Sequence, residues 1–306
     1  MFLNTDAKYI WLNGSFQPFN DANIHLLSHT LHYGLGAFEG VRAYETLSGG
    51  AIFRLREHTE RLFDAAKKIN ITIPYSIEEL EAVQKEAMIK NNLQEGYIRP
   101  IIFLGSESMG LRAKDLVSVN VAVACWEWPS YMDPAAKKKG ISIIKSPYQQ
   151  YENPLYSNNK IIGTYINSIM ALHDALSKNA DEAILLDKNG FISEGSGENL
   201  FIIKDSKLMT PKTDFCLNGI TRQTVIQIAA DLDIEFDERD LTFEELVDSD
   251  EAFFSGTAVE ITPITKADNS IIGSGTIGTI TESLQSKYSE IVCGKDANYS
   301  DWLTDI

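Results

Sequence analysis

Short runs of apolar residues, some of them alternating with polar or smaller residues at the period of β-strands, recur over the first 125 residues. The pattern is strictest at 117–125, where apolar residues alternate with smaller ones and predict a strand with one buried face. Between the runs 9–12 and 15–16, Asn13-Gly14 supplies the positive φ of a tight hairpin. Further strands are predicted at 38–44, 51–55 and 97–104.

Two stretches between these strands have the apolar spacing of helices. They cover 56–69 and 77–92, and the second opens with Ser76-x-x-Glu79, a capping box in which the two side chains satisfy free backbone amides. Strands and helices together indicate an α+β domain.

A change of composition around 126–140 predicts a break between two domains. Two prolines fall close together, at Pro129 and Pro134, and a lysine run follows. We therefore predict a small domain at 1–125, an interdomain loop at 126–136 and a larger domain at 137–306. The elements predicted in the larger domain are strands at 141–146, 182–187, 191–193, 199–204 and 252–255, and helices at 160–177, from Thr221 and at 242–248.

Composition narrows the possible functions. The 306 residues include 27 Lys and Arg against 43 Asp and Glu, a net charge of -16, which disfavours binding to nucleic acid or to an anionic membrane surface. Three widely separated cysteines argue against a disulfide scaffold or a cysteine zinc site. Neither a signal peptide nor an apolar run of about 18 residues is visible, so we expect a cytoplasmic protein.

Two motifs resemble known sites without their context. Gly273-Ser-Gly275-Thr-Ile-Gly278 has the spacing of a dinucleotide-binding loop, but too little chain follows it for the rest of that fold, and a glycine turn before a final helix is favoured. His25, His29 and His32 could share a helix face, but no carboxylate completes a zinc motif. We expect no metal site.

Four segments carry candidate chemistry, and Lys160 stands in the first. It opens a predicted apolar helical stripe, where desolvation would lower the pKa of its amine and make it nucleophilic. The alternative is a lysine that extends its charge into solvent.

The other three segments are rich in glycine and hydroxyl residues. Glu194 ends a strand beside a glycine loop and could pair with a ring nitrogen, unless it is simply a solvated acid. Gly219-Ile220-Thr221 opens a helix and could hold a phosphate, although Thr221 could serve only as the N-cap. Ser255-Gly256-Thr257-Ala258 could add donors to the same anion. Together they fit pyridoxal 5'-phosphate.

The chain resembles the fold-type IV pyridoxal-phosphate transaminases, and within them the branched-chain amino acid aminotransferases. Nine motifs in order carry the resemblance over nearly the whole chain, among them Phe38-Glu-Gly-Val-Arg42, Lys160-x-x-Gly-x-Tyr165 and Ser193-Glu-Gly-x-Gly-Glu-Asn-Leu-Phe. It implies an α+β fold with a small N-terminal domain and a larger C-terminal domain that has a β-barrel-like core.

The resemblance also implies roles for individual residues. Lys160 would be the catalytic residue and form the Schiff base, Glu194 would hold the pyridine nitrogen, and Tyr165 would bond the phenolic oxygen. The phosphate would be bound by Arg61, Ile220, Thr221 and Thr257. The substrate would be bound by Tyr33, Phe38, Tyr97, Arg99, Leu111, Trp128, Tyr131 and Ala258, with Tyr33, Met109 and Leu111 contributed by the second subunit of a homodimer.

The implied reaction is ping-pong transamination of leucine, isoleucine or valine with 2-oxoglutarate. Tyr97 would take the α-carboxylate, and Arg99 would take the side-chain carboxylate of glutamate. A D-amino acid transaminase, an amine transaminase or an aminodeoxychorismate lyase would keep Lys160, Glu194 and the phosphate segments. The Tyr97-x-Arg99 pair together with the Trp128-to-Tyr131 loop favours branched-chain substrates. A non-enzymatic binding protein is disfavoured because none of the implied cofactor residues is missing.

Overall fold

The structure is a computed structural model that describes residues 7–128 and 136–306. Its strands are β1 Tyr9–Leu12, β2 Ser15–Pro18, β3 Gly36–Phe38, β4 Val41–Thr46, β5 Gly49–Phe53, β6 Gly96–Leu104, β7 Val119–Trp126, β8 Ile141–Gln149, β9 Glu182–Leu186, β10 Ile192–Gly195, β11 Asn199–Lys204, β12 Lys207–Thr210, β13 Phe236–Glu238, β14 Glu251–Gly256, β15 Glu260–Ala267, β16 Ser270–Ile271 and β17 Leu303–Asp305. Its helices are α1 His29–Tyr33, α2 Leu55–Lys68, α3 Ile77–Asn91, α4 Ala136–Lys139, α5 Pro154–Ser157, α6 Tyr165–Ser177, α7 Ile220–Asp231, α8 Phe243–Val247 and α9 Thr279–Val292, with 3-10 turns at Phe19–Asp21, Lys114–Leu116, Ile162–Thr164 and Ala297–Trp302.

The described chain divides into two compact units. The first unit contains 7–128, Lys160–Gly163 and Ile291–Ile306, and the second contains 136–159 and 164–290. The chain therefore returns to the first unit twice after residue 137. The domain boundaries expected from the sequence, at residues 125 and 137, stay a prediction.

The first unit is built on an eight-stranded antiparallel sheet. Its order is β17-β5-β4-β6-β7-β1-β2, with β3 also paired to β6. The predicted hairpin is confirmed, with Asn13 at φ 49° and Gly14 at φ 98° between β1 and β2. The predicted alternation in β7 is also confirmed, because Val121, Val123 and Cys125 are fully buried.

Helices α2 and α3 pack on each other, and α3 also packs on β1, β6 and β7. They bury Leu55 and Leu62 from α2, and Leu80 and Met88 from α3. The predicted capping box is confirmed: Ser76 Oγ accepts from the backbone N–H of Glu79, and the Glu79 carboxylate accepts from the N–H of Ser76. The bounds of both helices lie close to the predicted ranges.

The second unit is built on a nine-stranded sheet of mixed direction. Its order is β10-β9-β8-β15-β14-β11-β12-β13, with β16 paired to β15. The pairs β8–β9, β8–β15 and β12–β13 are parallel. One core cluster joins this sheet to α8 through residues such as Ile143, Phe254 and Leu246. A second, alanine-rich cluster joins α6 to β9.

Two sequence predictions of local structure were wrong. The predicted strand at 38–44 is interrupted, because β3 ends at Phe38 and β4 begins at Val41. The predicted helix at 160–177 begins only at Tyr165, because the preceding residues pair with residues 34–38: Lys160 C=O accepts from Phe38 N–H at 3.1 Å, and Gly163 N–H donates to Gly34 C=O at 2.9 Å. Lys160 is therefore not at a helix start.

Candidate functional site

Lys160 is held in an extended segment of the first unit. The Lys160 C=O accepts from the N–H of Phe38, and the next residue, Ile161, forms a β-bridge with Ala37. Gly34 and Gly163 permit this approach, since a Cβ on Gly34 would lie 2.7 Å from the Cα of Gly163. The amine of Lys160 lies 5.6 Å from the centroid of the Phe38 ring. The half-buried amine thus stands beside an aromatic face.

Tyr97 and Arg99 lie on the same face of β6, as the sequence predicts for residues two apart in a strand. The Arg99 guanidinium donates to the Tyr97 hydroxyl at 3.0 Å and stacks 4.6 Å from the Phe38 ring centroid. Trp128 stacks on Tyr97 at 4.6 Å between ring centroids. The first unit therefore brings five predicted site residues together: Phe38, Tyr97, Arg99, Trp128 and Lys160.

Arg61 is bound by a carboxylate that no sequence pattern singles out. Its Nε and Nη2 donate to the two oxygens of Glu39 at 2.7 and 2.9 Å. His58 lies on the same face of α2 and contacts Glu39 Oε2 through Nδ1 at 2.8 Å. Glu39 immediately follows Phe38 and so belongs to the Phe-Glu-Gly motif. Nothing in the sequence around Glu39, however, predicts that it binds Arg61.

Three predicted substrate residues are not part of these contacts. Tyr33 ends α1 and is exposed, with its ring 4.5 Å from that of His29. Leu111 is 83% exposed. Tyr131 lies outside the described residues.

In the second unit, Glu194 lies on β10 next to a register irregularity in the pairing with β9. Its carboxylate accepts from the Gln150 amide at 2.6 Å and from the backbone N–H of Leu217 at 3.3 Å. Glu194 is therefore a held, half-buried group, and the alternative of a freely solvated acid is wrong. The Leu217 contact also places its carboxylate near the predicted phosphate segment.

Asn199 connects the two predicted phosphate segments. Its amide donates to Leu217 C=O at 2.8 Å, and it is the register partner of Ser255 across β11 and β14. A Cβ on Gly219 would lie 2.2 Å from Asn199 Oδ1, so any larger residue there would displace the Asn199 side chain. The sequence does not single out Asn199, because these contacts depend on strand pairing that the sequence does not display.

The start of α7 has the form expected of an anion site. Gly219 is the N-cap and supplies no side chain to the first turn, while Ile220 and Thr221 are buried. The alternative that Thr221 is the N-cap is wrong. Arg222, the next residue, is a structural group that donates to Pro211 C=O at 3.2 Å and pairs with Glu238.

Thr257 and Ala258 follow β14 and are half-buried. Beside them, the Ser255 hydroxyl is buried and has no hydrogen-bond partner among the residues that the structure describes. Such a group is unusual in a folded protein and fits a site that receives a polar ligand. Tyr165 is the half-buried first residue of α6.

The dinucleotide-like glycine motif has another role. Glu251 accepts from the N–H groups of Ile280 and Thr281 at 3.1 and 2.7 Å, so a carboxylate of the protein already caps the helix that follows. The glycines form a turn before α9, as favoured from the sequence. Gly278 is required because a Cβ there would lie 1.9 Å from the Glu251 side chain.

The three N-terminal histidines do not share one helix, since α1 begins at His29. His29 and His32 contact backbone carbonyls of Gly110 and Leu26 at 3.1 and 3.0 Å, and His25 Nδ1 accepts from Leu27 N–H. Within 7–128 and 136–306, no three His, Cys, Asp or Glu side chains are placed to hold a metal ion. The same residues include no helix with the length and apolar character to span a membrane.

The chain is similar to aminotransferases in both sequence and structure. It matches the family model for amino-transferase class IV over residues 36–267. It is 48% identical over 296 residues to the branched-chain-amino-acid aminotransferase of Pseudomonas aeruginosa, covering 96% of both chains.

Solved structures of the T.th. branched-chain amino acid aminotransferase match along 99% of both chains. One contains N-(5'-phosphopyridoxyl)-L-glutamate and another contains 4-methylvaleric acid, and each has a TM-score of 0.94 and 40% identity. The family model covers well over half of the sequence, and the α+β fold is similar to that of these solved structures over 99% of the chain. The chain therefore belongs to the class IV aminotransferases.

Proposed function

We propose that this protein is a pyridoxal-phosphate-dependent aminotransferase that exchanges the amino group between branched-chain L-amino acids and 2-oxoglutarate. The observation that carries the proposal is the presentation of Lys160, held in an extended segment with its amine beside Phe38 and near the Tyr97–Arg99 pair. The relatives at 48% and 40% identity are named for this activity.

The residues present fit the cofactor. Glu194 offers a carboxylate for a pyridine nitrogen and Tyr165 a phenol for the ring oxygen, while the first turn of α7 and the buried, unpartnered Ser255 hydroxyl suit a phosphate. We assign Arg61, Ile220, Thr221 and Thr257 to the phosphate. When bound, pyridoxal phosphate supplies a covalent link to the amino group and an electron sink.

The side chains of the protein supply binding and proton transfer. The Lys160 amine would attach the cofactor covalently, and once the substrate amino group has displaced it, the free amine would act as the general base that takes the proton from the substrate Cα. Glu194, whose carboxylate is held by Gln150 and Leu217, would pair with the pyridine nitrogen and favour its protonated form.

Substrate selection is assigned to the aromatic cluster of the first unit. Phe38 and Trp128, with Tyr131, provide an apolar wall for a branched side chain, Tyr97 and the Ala258 backbone hold the α-carboxylate, and Arg99 takes the second carboxylate of glutamate. One T.th. complex holds a glutamate adduct and another holds 4-methylvaleric acid, whose branched chain resembles that of leucine. Both ligand classes suit one pocket of this composition.

We also propose that the protein is a homodimer. The first unit exposes Leu26, Leu31, Tyr33 and Leu111, and the Arg99 face of β6 borders an apolar cavity of about 560 Å³. Exposed large apolar side chains and an apolar cavity in the same unit are consistent with a surface that binds a protein partner. Tyr33, Met109 and Leu111 then complete the substrate pocket of the second subunit.

The sedimentation of the purified protein tests the homodimer. Leu26→Asp and Leu111→Asp should shift the protein toward monomer, and a native protein that sediments as a monomer would contradict the proposal.

A cytoplasmic location is part of the proposal. Cys125, Cys216 and Cys293 are free thiols, and Cys125 and Cys216 are buried. Free thiols in this number suit a reducing compartment.

The purified protein tests the function directly. Added pyridoxal phosphate should give an absorbance band at the violet edge of the visible range that Lys160→Ala lacks, and L-leucine with 2-oxoglutarate should yield glutamate. Failure to bind the cofactor would refute the proposal. Faster glutamate formation from D-alanine or a primary amine than from L-leucine would reassign the chain to another activity of the same fold.

A further inference from the structure

Glu39 is a completely buried carboxylate that no part of the proposed reaction uses. It lies in the two-residue connection between β3 and β4, and its exposed fraction is 0%. A buried charge is costly unless it is paired and hydrogen-bonded. Glu39 must therefore be stabilised by the groups around it.

Two of these groups come from one face of α2. The Arg61 guanidinium donates through Nε and Nη2 to the two different oxygens of Glu39. His58, three residues earlier in the helix, is hydrogen-bonded to Oε2 through Nδ1. The backbone N–H of Gly40 also donates to Oε2 at 3.2 Å. A two-point fork fixes both the position and the plane of a guanidinium, which one bond cannot do.

Burial and neighbouring charges shift the pKa values of both Glu39 and His58. Burial alone would raise the pKa of Glu39, but the positive charge of Arg61 and the bonds from His58 and Arg61 outweigh it and hold that pKa well below its ordinary value. Burial lowers the pKa of His58, and the charges of Arg61 and Lys160 act in the same direction against the opposing effect of Glu39. Since the ionised Glu39 carboxylate can only accept, His58 Nδ1 donates its proton to Oε2 at 2.8 Å.

The residues beside Glu39 contact other parts of the proposed site. Phe38 binds the backbone of Lys160 and stacks with Arg99. Gly40 leaves room for the Tyr97 hydroxyl, which a Cβ at position 40 would approach to 1.8 Å. A displacement of Glu39 would therefore disturb its neighbours Phe38 and Gly40, which lie against Lys160, Arg99 and Tyr97.

We propose that Glu39 is a positioning residue that holds the Arg61 guanidinium in the orientation needed to bind the cofactor phosphate, with His58 as its second support. This inference rests on the proposed function and on the assignment of Arg61 to the phosphate. Glu39 contributes orientation, since its own negative charge would repel a phosphate.

The test compares two cofactors that differ only in the phosphate. Dissociation constants for pyridoxal 5'-phosphate and for pyridoxal are measured by absorbance titration of the cofactor-free protein. In Glu39→Gln, the amide keeps one acceptor and cannot complete the fork. We expect the dissociation constant for the phosphorylated form to rise about ten- to hundredfold, with that for pyridoxal unchanged.

Two further variants sharpen the test. Glu57→Gln removes an ion pair that the same helix makes with Arg54 at 2.7 Å, and should leave both constants unchanged. Glu39→Asp keeps the charge but withdraws the carboxylate by one methylene, so it should show an intermediate loss. If Glu39→Gln does not fold, the two dissociation constants of Glu39→Asp provide the test.

Each outcome has one interpretation. An equal loss for both cofactors, or no loss in the folded variants, would overturn the positioning role. A native protein that binds neither cofactor would instead refute the proposed function.

Discussion

Arg99 has an environment that suits recognition of a second carboxylate. It is half-buried among Phe38, Tyr97 and Trp126, with guanidinium-to-centroid distances of 4.6, 5.2 and 6.0 Å. Aromatic rings hold the guanidinium in place and tolerate an apolar ligand, while its N–H groups remain suited to a carboxylate. One side chain can therefore serve two classes of substrate.

Arg99→Ala should reduce kcat/KM for glutamate about ten- to hundredfold, and that for leucine much less, because only glutamate carries the second carboxylate. Steady-state kinetics with each amino donor measures the ratio. Arg112→Ala, which removes an exposed arginine of the same unit, is the control. Equal losses with both substrates would contradict the assigned role.

Gly40 is required by the position of Tyr97. A Cβ would approach the Tyr97 hydroxyl to 1.8 Å and its Cζ to 2.7 Å, so Gly40→Ala should destabilise the protein by about 1–3 kcal/mol. Urea unfolding measures the loss. The same substitution should cost less in a Tyr97→Phe background, and an equal cost in both backgrounds would show that the hydroxyl is not the obstacle.

At the scale of elements, the sequence predicts what is encoded locally. The Asn13-Gly14 hairpin, the Ser76–Glu79 capping box and the alternation in β7 are all confirmed because each depends on neighbouring residues. The segment before α6 depends instead on pairing with residues 34–38, more than 120 positions earlier. Local periodicity cannot reveal that pairing and therefore places the start of the helix five residues early.

The candidate site shows the same division. Lys160 and Glu194 could be selected from their motifs, whereas Glu39, Gln150 and Asn199 matter through bonds to residues distant in sequence. Polar residues of this kind have no distinguishing pattern, and only the fold identifies their partners.

The cap of α3 offers a test at this scale. Ser76→Ala removes the acceptor for the N–H of Glu79 and should lower the free energy of unfolding by about 1 kcal/mol. Ser76→Asp retains an acceptor and should remain close to the native value. Urea unfolding of the three proteins measures the difference, and an unchanged Ser76→Ala would mean that the cap is dispensable.

For the whole molecule, a buried acid links stability to pH. Glu182 is fully buried, and its Oε1 accepts from the N–H of Ala183 at 2.6 Å. Burial raises the pKa of Glu182 to about 7, against the opposing effect of bonds from Ala183 and Ser196. The folded protein thus holds this proton more tightly than the unfolded chain does.

The free energy of unfolding should consequently fall as pH rises from the unfolded value of 4.5 through about 7, by up to about 3 kcal/mol from this group. Glu182→Gln should remove that fall, so the variant gains stability relative to the native protein between pH 5 and pH 8. Urea unfolding at both values measures the gain. Glu45→Gln, at an exposed position, should give no such gain.

The pairing of β17 with β5 has a consequence for biosynthesis. Residues 303–305 border residues 51–53, about 250 positions earlier, and that edge includes Ile52 and Phe53, both buried in the finished fold. At about 5–20 residues per second, a ribosome needs about 10–50 s to make the intervening chain. During that time β5 is an unpaired apolar edge of the kind that recruits other nascent strands. Chaperones that shield this edge would raise the yield of the protein.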